Sequence, residues 1–204
     1  AILGTGEDYA VFIRGLIDVY EATFNGDYLK RAGELQKEML RLFWDEKHGG
    51  LFFTAEDSEE LLFRQKEIYD GAVPSGNSVA ALDLIRLDRA ELNSEGEAKA
   101  RGIFQAFAAE IVQRPSAYTQ LLIALDFIVG PSSEIVITGK TSDKCREFID
   151  AVYETFLPNK VVLFKVQDTK PAVLICQNRV CLRPVHSAKE LRGLLKKDDE
   201  KIIH

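Results

Sequence analysis

Two kinds of helix alternate along the first 130 residues, and this alternation constrains the fold more than any other feature. Residues 7–24 carry apolar side chains on most sides. Tyr9, Phe12, Ile13, Leu16, Ile17, Tyr20 and Phe24 form one stripe, and Ala10, Val11, Val19 and Ala22 add others. The charges Arg14, Asp18 and Glu21 fall at i, i+4 and i+7 on one narrow face. A helix of this kind is expected to be enclosed by neighbours. Residues 27–44 differ. Leu29, Ala32, Leu35, Met39, Leu42 and Phe43 make one face, and a wide charged face opposes it, so a surface helix is predicted.

The alternation repeats. Residues 75–90 are apolar nearly all round, and 95–113 are amphipathic with Ile103, Phe104, Phe107, Ile111 and Val112 inward. Ser94 and Glu97 have capping-box spacing, in which each side chain satisfies an orphan backbone donor. Residues 116–129 hold one charge, Asp126, and read as enclosed again. An inner and an outer ring of helices is the expectation; an α-solenoid alternates similarly and stays open beside it. The connection 45–74 is long enough to be functional. Its Gly49–Gly50, Leu51-Phe52-Phe53-Thr54 and Leu61-Leu62-Phe63-Arg64 segments read as a short β-hairpin.

After Gly130–Pro131 the periodicity changes. Glu134–Thr138, Lys160–Val166 and Ala172–Cys176 are β-branched or apolar runs that predict strands. Residues 142–156 predict an amphipathic helix through Cys145, Phe148, Ile149, Val152 and Phe156. Ser187 and Glu190 form a second capping-box spacing, opening a short helix to about Leu195 before a frayed tail. The expected fold is mainly α: a helical-hairpin region, 1–130, followed by a small α/β region, 131–204.

Composition narrows the function. The 204 residues carry 26 Lys+Arg against 32 Asp+Glu, a net charge of −6. An acidic chain without a basic run argues against nucleic acid and anionic membrane as partners. No run reaches the length of a membrane span, and no signal peptide is legible. Three cysteines fit a reducing, cytoplasmic compartment better than a secreted one. The chain does not start with Met and enters a helix by Glu7, which predicts a processed chain or a fragment. No phosphate loop, HExxH metal site or serine elbow is present, and neither metal nor cofactor is expected.

Several stretches carry a family resemblance. They are Glu7-Asp8-Tyr9-Ala10, Tyr20-Glu21-Ala22-Thr23, Phe43-Trp44-Asp45 with Gly49–Thr54, and above all Asp70-Gly71-Ala72-Val73-Pro74-Ser75-Gly76-Asn77-Ser78. Phe156–Val161 and Cys176–Cys181 with Pro184-Val185 agree. Together these resemble the C-terminal half of the spermatogenesis-associated, thioredoxin-domain-containing proteins. The resemblance implies a partial (α/α)6 toroid of the six-hairpin glycosidase kind, related to N-acylglucosamine 2-epimerase. It also implies an N-terminal thioredoxin-like domain and a first toroid half outside this chain.

In such a toroid the inner-helix N-termini and the long loops share the pocket end. Glu7, Asp8 and Asp70 become the candidate catalytic carboxylates, with Glu7 or Asp8 pairing with Asp70 for glycoside hydrolysis. Tyr9, Trp44, Ser75, Asn77 and Tyr118 become candidate ligand contacts for a sugar or sugar derivative, with Ser78 and Ser116 nearby. Bland readings stand beside these. Asp8 and Ser75 also fit helix caps, Gly71 and Gly76 fit turns, and Trp44 fits a plug for its hairpin. Epimerases of this fold use pocket histidines, and here only His48 lies on a pocket-side loop. A hairpin could bring Cys176 and Cys181 within disulfide range, and the two read either as ordinary thiols or as a redox-active pair serving the thioredoxin-like domain. Cys145 reads as core. Half a ring would also expose apolar surface, so self-association or contact with the missing segment is expected at Ile2–Phe12 and along 118–129.

Overall fold

The computed structural model describes residues 4–58, 63–91, 95–177 and 180–202. The chain divides into two compact units, Ala1–Val129 and Gly130–His204. Among the described residues no helix is long and apolar enough to cross a membrane.

The first unit is helical. Helix α1 spans Gly6–Thr23 and α2 spans Gly26–Phe43. The two pack as a hairpin across Phe24, whose φ of 55° is a left-handed C-cap. Helix α3, Gly76–Glu91, packs on α1, on α4 (Glu95–Ala106) and on α6 (Thr119–Val129). Twelve of its 16 residues are buried. The amphipathic 95–113 stretch is two helices rather than one. Phe107 leaves helical geometry at φ −119°, and α5 covers only Ala108–Gln113.

Glycine sets the α1–α3 crossing. A Cβ on Gly76 would stand 2.8 Å from Glu7 Cα, and one on Gly6 would stand 2.8 Å from the Phe52 carbonyl oxygen. The two helix starts therefore touch backbone to backbone, and Gly76 serves this contact rather than a turn. Ala10, Ile13, Ile17, Met39, Phe43, Val79 and Leu87 belong to the core beneath.

Charges join α1 to α3 as well. The Arg14–Asp18–Glu21 face meets α3: Arg14 Nε pairs with Asp83, and Arg86 pairs with Asp18 at 2.8 Å and Glu21 at 3.2 Å. Asp88 accepts from the N–H groups of Gly96 (3.0 Å) and Glu97 (2.7 Å), so it caps α4 from another helix. The proposed Ser94 box partner lies outside the described residues.

The second unit is α/β. Strands β1 (Ser133–Gly139), β2 (Lys160–Val166), β3 (Ala172–Gln177) and β4 (Val180–Cys181) form one sheet in the order β2-β1-β3-β4. β1 and β2 are parallel, joined through α7 (Arg146–Tyr153); β1–β3 and β3–β4 are antiparallel. β1 is buried along nearly its whole length, as a strand with partners on both sides should be. Helix α8, Ala188–Ile202, packs on α7 and runs beyond the short helix to Leu195 that the sequence predicted.

This corrects the expected fold class. The chain is helical with a real four-stranded mixed sheet, which a pure toroid of helical hairpins lacks. Two readings of enclosed helices also change. Phe12 is 60% exposed with Val11 and Val19 beside it on α1, and Ile123 and Val129 are exposed on α6. The predicted hairpin in 45–74 reduces to one bridge, Trp44 with Leu51, among the described residues; Leu61 and Leu62 lie outside them.

Candidate functional site

Three helix N-termini of the first unit are tied together at one end, and the ties are the residues singled out as candidate site groups. Thr5 N-caps α1 in a full capping box: Asp8 N–H donates to Thr5 Oγ1 and Thr5 N–H donates to Asp8 Oδ2 at 2.8 Å. The backbone and side-chain donors of Thr5 hold the Asp8 carboxyl below its usual range. The Phe53 carbonyl accepts the Gly6 N–H at 3.0 Å.

Asp70 joins two further starts. Its Oδ1 accepts from Ser75 N–H at 3.0 Å, ahead of α3. Its Oδ2 accepts from Gln120 and Leu121 N–H at 2.8 and 3.2 Å, in the first turn of α6. A carboxylate that receives three backbone donors is a cap shared between helices. Ser75 Oγ accepts from Ser78 N–H and donates to Ser78 Oγ at 2.9 Å, closing the first turn of α3.

Asn77 is buried and acts as a strand-like clasp. Its Oδ1 accepts from Leu51 N–H at 2.7 Å, and its Nδ2 donates to the carbonyls of Leu51 (2.9 Å) and Glu67 (2.8 Å). The long connection is held to α3 through this side chain. Lys66 and Arg64 hold it from within. Lys66 Nζ donates to Asp45 Oδ2 at 2.7 Å and to the Gly49 carbonyl at 2.6 Å. That lysine contact, with N–H donors from Lys47 and His48, outweighs burial and holds the Asp45 carboxyl well below the usual carboxylate range. Arg64 donates to the carbonyls of Thr54 and Leu42 and stacks 4.1 Å above the Phe52 ring. Trp44 lies against Gly102, where a Cβ would stand 3.1 Å from the indole, and Lys99 Nζ sits 4.5 Å from its ring. Trp44 is therefore the plug of this corner.

Glu7 lines a cleft with Phe52, Phe53, Glu67, Gly76 and Asn77. Its open space is about 10 Å³, room for roughly one water. Asp8 and Asp70 do not line it. Tyr9 stacks on Phe43 with centroids 5.4 Å apart, and burial with the nearby Glu38 raises its pKa. Tyr118 follows a 3₁₀ turn at Pro115–Ala117. His48 is exposed and faces Asp45 at 3.3 Å. Glu67 was missed in the sequence, where nothing in its neighbourhood marks it.

The second unit holds a different kind of site. Cys176 and Cys181 are directly opposed on β3 and β4 and form a disulfide, with Cα atoms 3.9 Å apart. The reading of the two as ordinary thiols is corrected. Leu182 N–H donates to the Ile175 carbonyl, so the next pair along, Cys176 with Cys181, is of the close, non-hydrogen-bonded kind. Cys145 is a free thiol, buried beside Gly139, and desolvation raises its pKa. Among the described residues no group of three or more His, Cys, Asp or Glu side chains is placed to hold a metal.

The class these observations define is a two-unit chain: helices tied at their N-termini, then an α/β unit with a cross-strand disulfide. The chain is 32% identical over 211 aligned positions to human spermatogenesis-associated protein 20, covering 93% of this chain and 27% of that protein. The mouse protein of the same name matches to the same extent. An uncharacterised Caenorhabditis elegans protein is 29% identical over 208 positions. No family model matches. These similarities support the spermatogenesis-associated protein 20 family, and the chain spans about a quarter of the length of those relatives.

Proposed function

We propose that this chain acts through the Cys176–Cys181 pair as a dithiol–disulfide element serving a thioredoxin-class partner. The observation that carries the reading is the register-matched disulfide with Cys181 exposed on a two-residue edge strand. Exposed disulfides are the exchangeable ones, and buried structural ones resist reduction.

The exchange balances as follows. A partner thiolate attacks one sulfur, the Cys176–Cys181 bond breaks, and the other cysteine leaves as a thiolate that takes up a proton. The partner's second thiolate then attacks its own sulfur in the mixed disulfide. Two electrons and two protons pass to this chain, and the partner dithiol becomes a disulfide. A βαβ start followed by a strand pair and a helix supports the reading as a fold-level analogy with thioredoxin-type sheets. The turn from β1 to α7 holds only the buried Cys145, so the pair at the other end of β3 carries the chemistry.

The carbohydrate reading has less support. Once the contacts of Asp8, Asp70, Ser75, Asn77 and Trp44 within the fold are counted, it rests on Glu7, Tyr9 and Tyr118. The redox reading is tested by counting thiols. Alkylation of the unfolded, unreduced chain labels one cysteine; after dithiothreitol it labels three, and reoxidation restores one. Three labelled cysteines before any reductant overturn it.

A further inference from the structure

We infer that exchange at this pair has a fixed polarity: Cys181 is the sulfur attacked, and Cys176 is the sulfur that leaves. The inference rests on the redox reading above and adds its direction.

Thiol–disulfide exchange is an in-line displacement. The incoming thiolate approaches along the S–S axis from behind the sulfur it attacks, and access decides which sulfur that is. The strand register sets what stands behind each sulfur. Glu134 of β1 is paired with Cys176 of β3, which is paired with Cys181 of β4. Directly opposed residues share one face of a sheet, so the three side chains form a row across it.

Behind Cys176 lies Glu134, a buried acidic side chain that is 4% exposed. An approach from that side meets an occupied position in the interior of the sheet. Behind Cys181, among the described residues, the sheet ends. β4 is the edge strand, and Cys181 is exposed while Cys176 is 8% exposed. Only the Cys181 side offers a path along the bond axis. The mixed disulfide therefore forms on Cys181. Electrons reach Cys176 through the breaking bond, and its thiolate takes up a proton from solvent.

Two measurements test this. The oxidised chain is mixed with a thioredoxin whose second active-site cysteine is replaced by serine, which traps the mixed disulfide. Peptide mapping is expected to find Cys181 joined to the thioredoxin and Cys176 free, in at least a tenfold excess over the reverse adduct. Equal adducts, or an excess on Cys176, overturn the polarity. In parallel, the reduced C176S and C181S chains are treated with 5,5′-dithiobis(2-nitrobenzoate). Cys181 in C176S is expected to react at least tenfold faster than Cys176 in C181S, with Cys145 slow in both. Equal rates overturn the access argument. A disulfide that dithiothreitol reduces but that forms no thioredoxin adduct on either sulfur refutes the partner class. A chain with no disulfide before reduction instead refutes the redox reading itself.

Discussion

Replacing Asp70 by alanine separates a structural role from a chemical one. Asp70 receives the N–H groups of Ser75, Gln120 and Leu121, so its loss uncaps α6 and strands a donor ahead of α3. Loss of a helix cap costs about 1 kcal/mol. Loss of the charge at the α6 N-terminus adds roughly 0.5 kcal/mol. The Ser75 N–H, left in a buried residue without its acceptor, adds roughly 1 to 2 kcal/mol. Asp70→Ala should therefore destabilise the helical unit by about 3 kcal/mol. Asp70→Asn keeps one acceptor oxygen and should lose about half of that. The single tryptophan, Trp44, lies in this unit, so urea unfolding followed by its fluorescence reports on these helices alone. The Gln120 and Leu121 amides should lose hydrogen-exchange protection in the alanine variant. A destabilisation under about 0.5 kcal/mol, with those amides still protected, would refute the capping argument.

Three further outcomes follow from the same contacts. Burial raises Asp83 from 3.8 to about 6 against the opposing pull of Arg14. The folded state thus binds the proton more tightly, and stability falls by up to about 3 kcal/mol as pH rises from 4 to 6; Asp83→Asn should flatten that window in pH-dependent urea midpoints. Gly76→Ala places a methyl group against the Glu7 backbone and should cost about 1 to 3 kcal/mol by thermal unfolding, whereas Gly15→Ala, which meets nothing within 4 Å, should be neutral or slightly stabilising. Reduction of Cys176–Cys181 reopens a short loop and should lower the stability of the α/β unit by about 2 kcal/mol, read by hydrogen exchange along β3.

Much of the helical pattern was legible in the sequence because α1 and α2 each bury a face with a period near 3.6 and α3 is apolar nearly all round. The charges were less legible. Asp83, Arg86 and Asp88 sit on the most enclosed helix, and periodicity treats a charge as a mark of solvent. Their partners, Arg14, Asp18, Glu21 and the α4 N-terminus, become visible only when α1, α3 and α4 are in contact. The capping role of Asp8 is local, since its partner, Thr5, lies three residues away. The helices that Asp70 joins were not legible, since two of its donors are 50 and 51 residues distant. The fold class was misjudged for a related reason. Three strands could be read locally, but β4 has two residues, and its membership in the sheet is a matter of register. The same register brings Cys176 to Cys181; the C-x4-C spacing alone left their pairing open.

The most direct test of the redox claim is an equilibrium titration of the intact chain in glutathione buffers of graded ratio, quenched with acid, alkylated and weighed. The account predicts one cooperative two-electron step in which Cys176 and Cys181 gain or lose their label together, within the range that glutathione sets, while Cys145 remains a thiol throughout. Three labelled cysteines at every ratio, or a disulfide unchanged at every ratio, would contradict it.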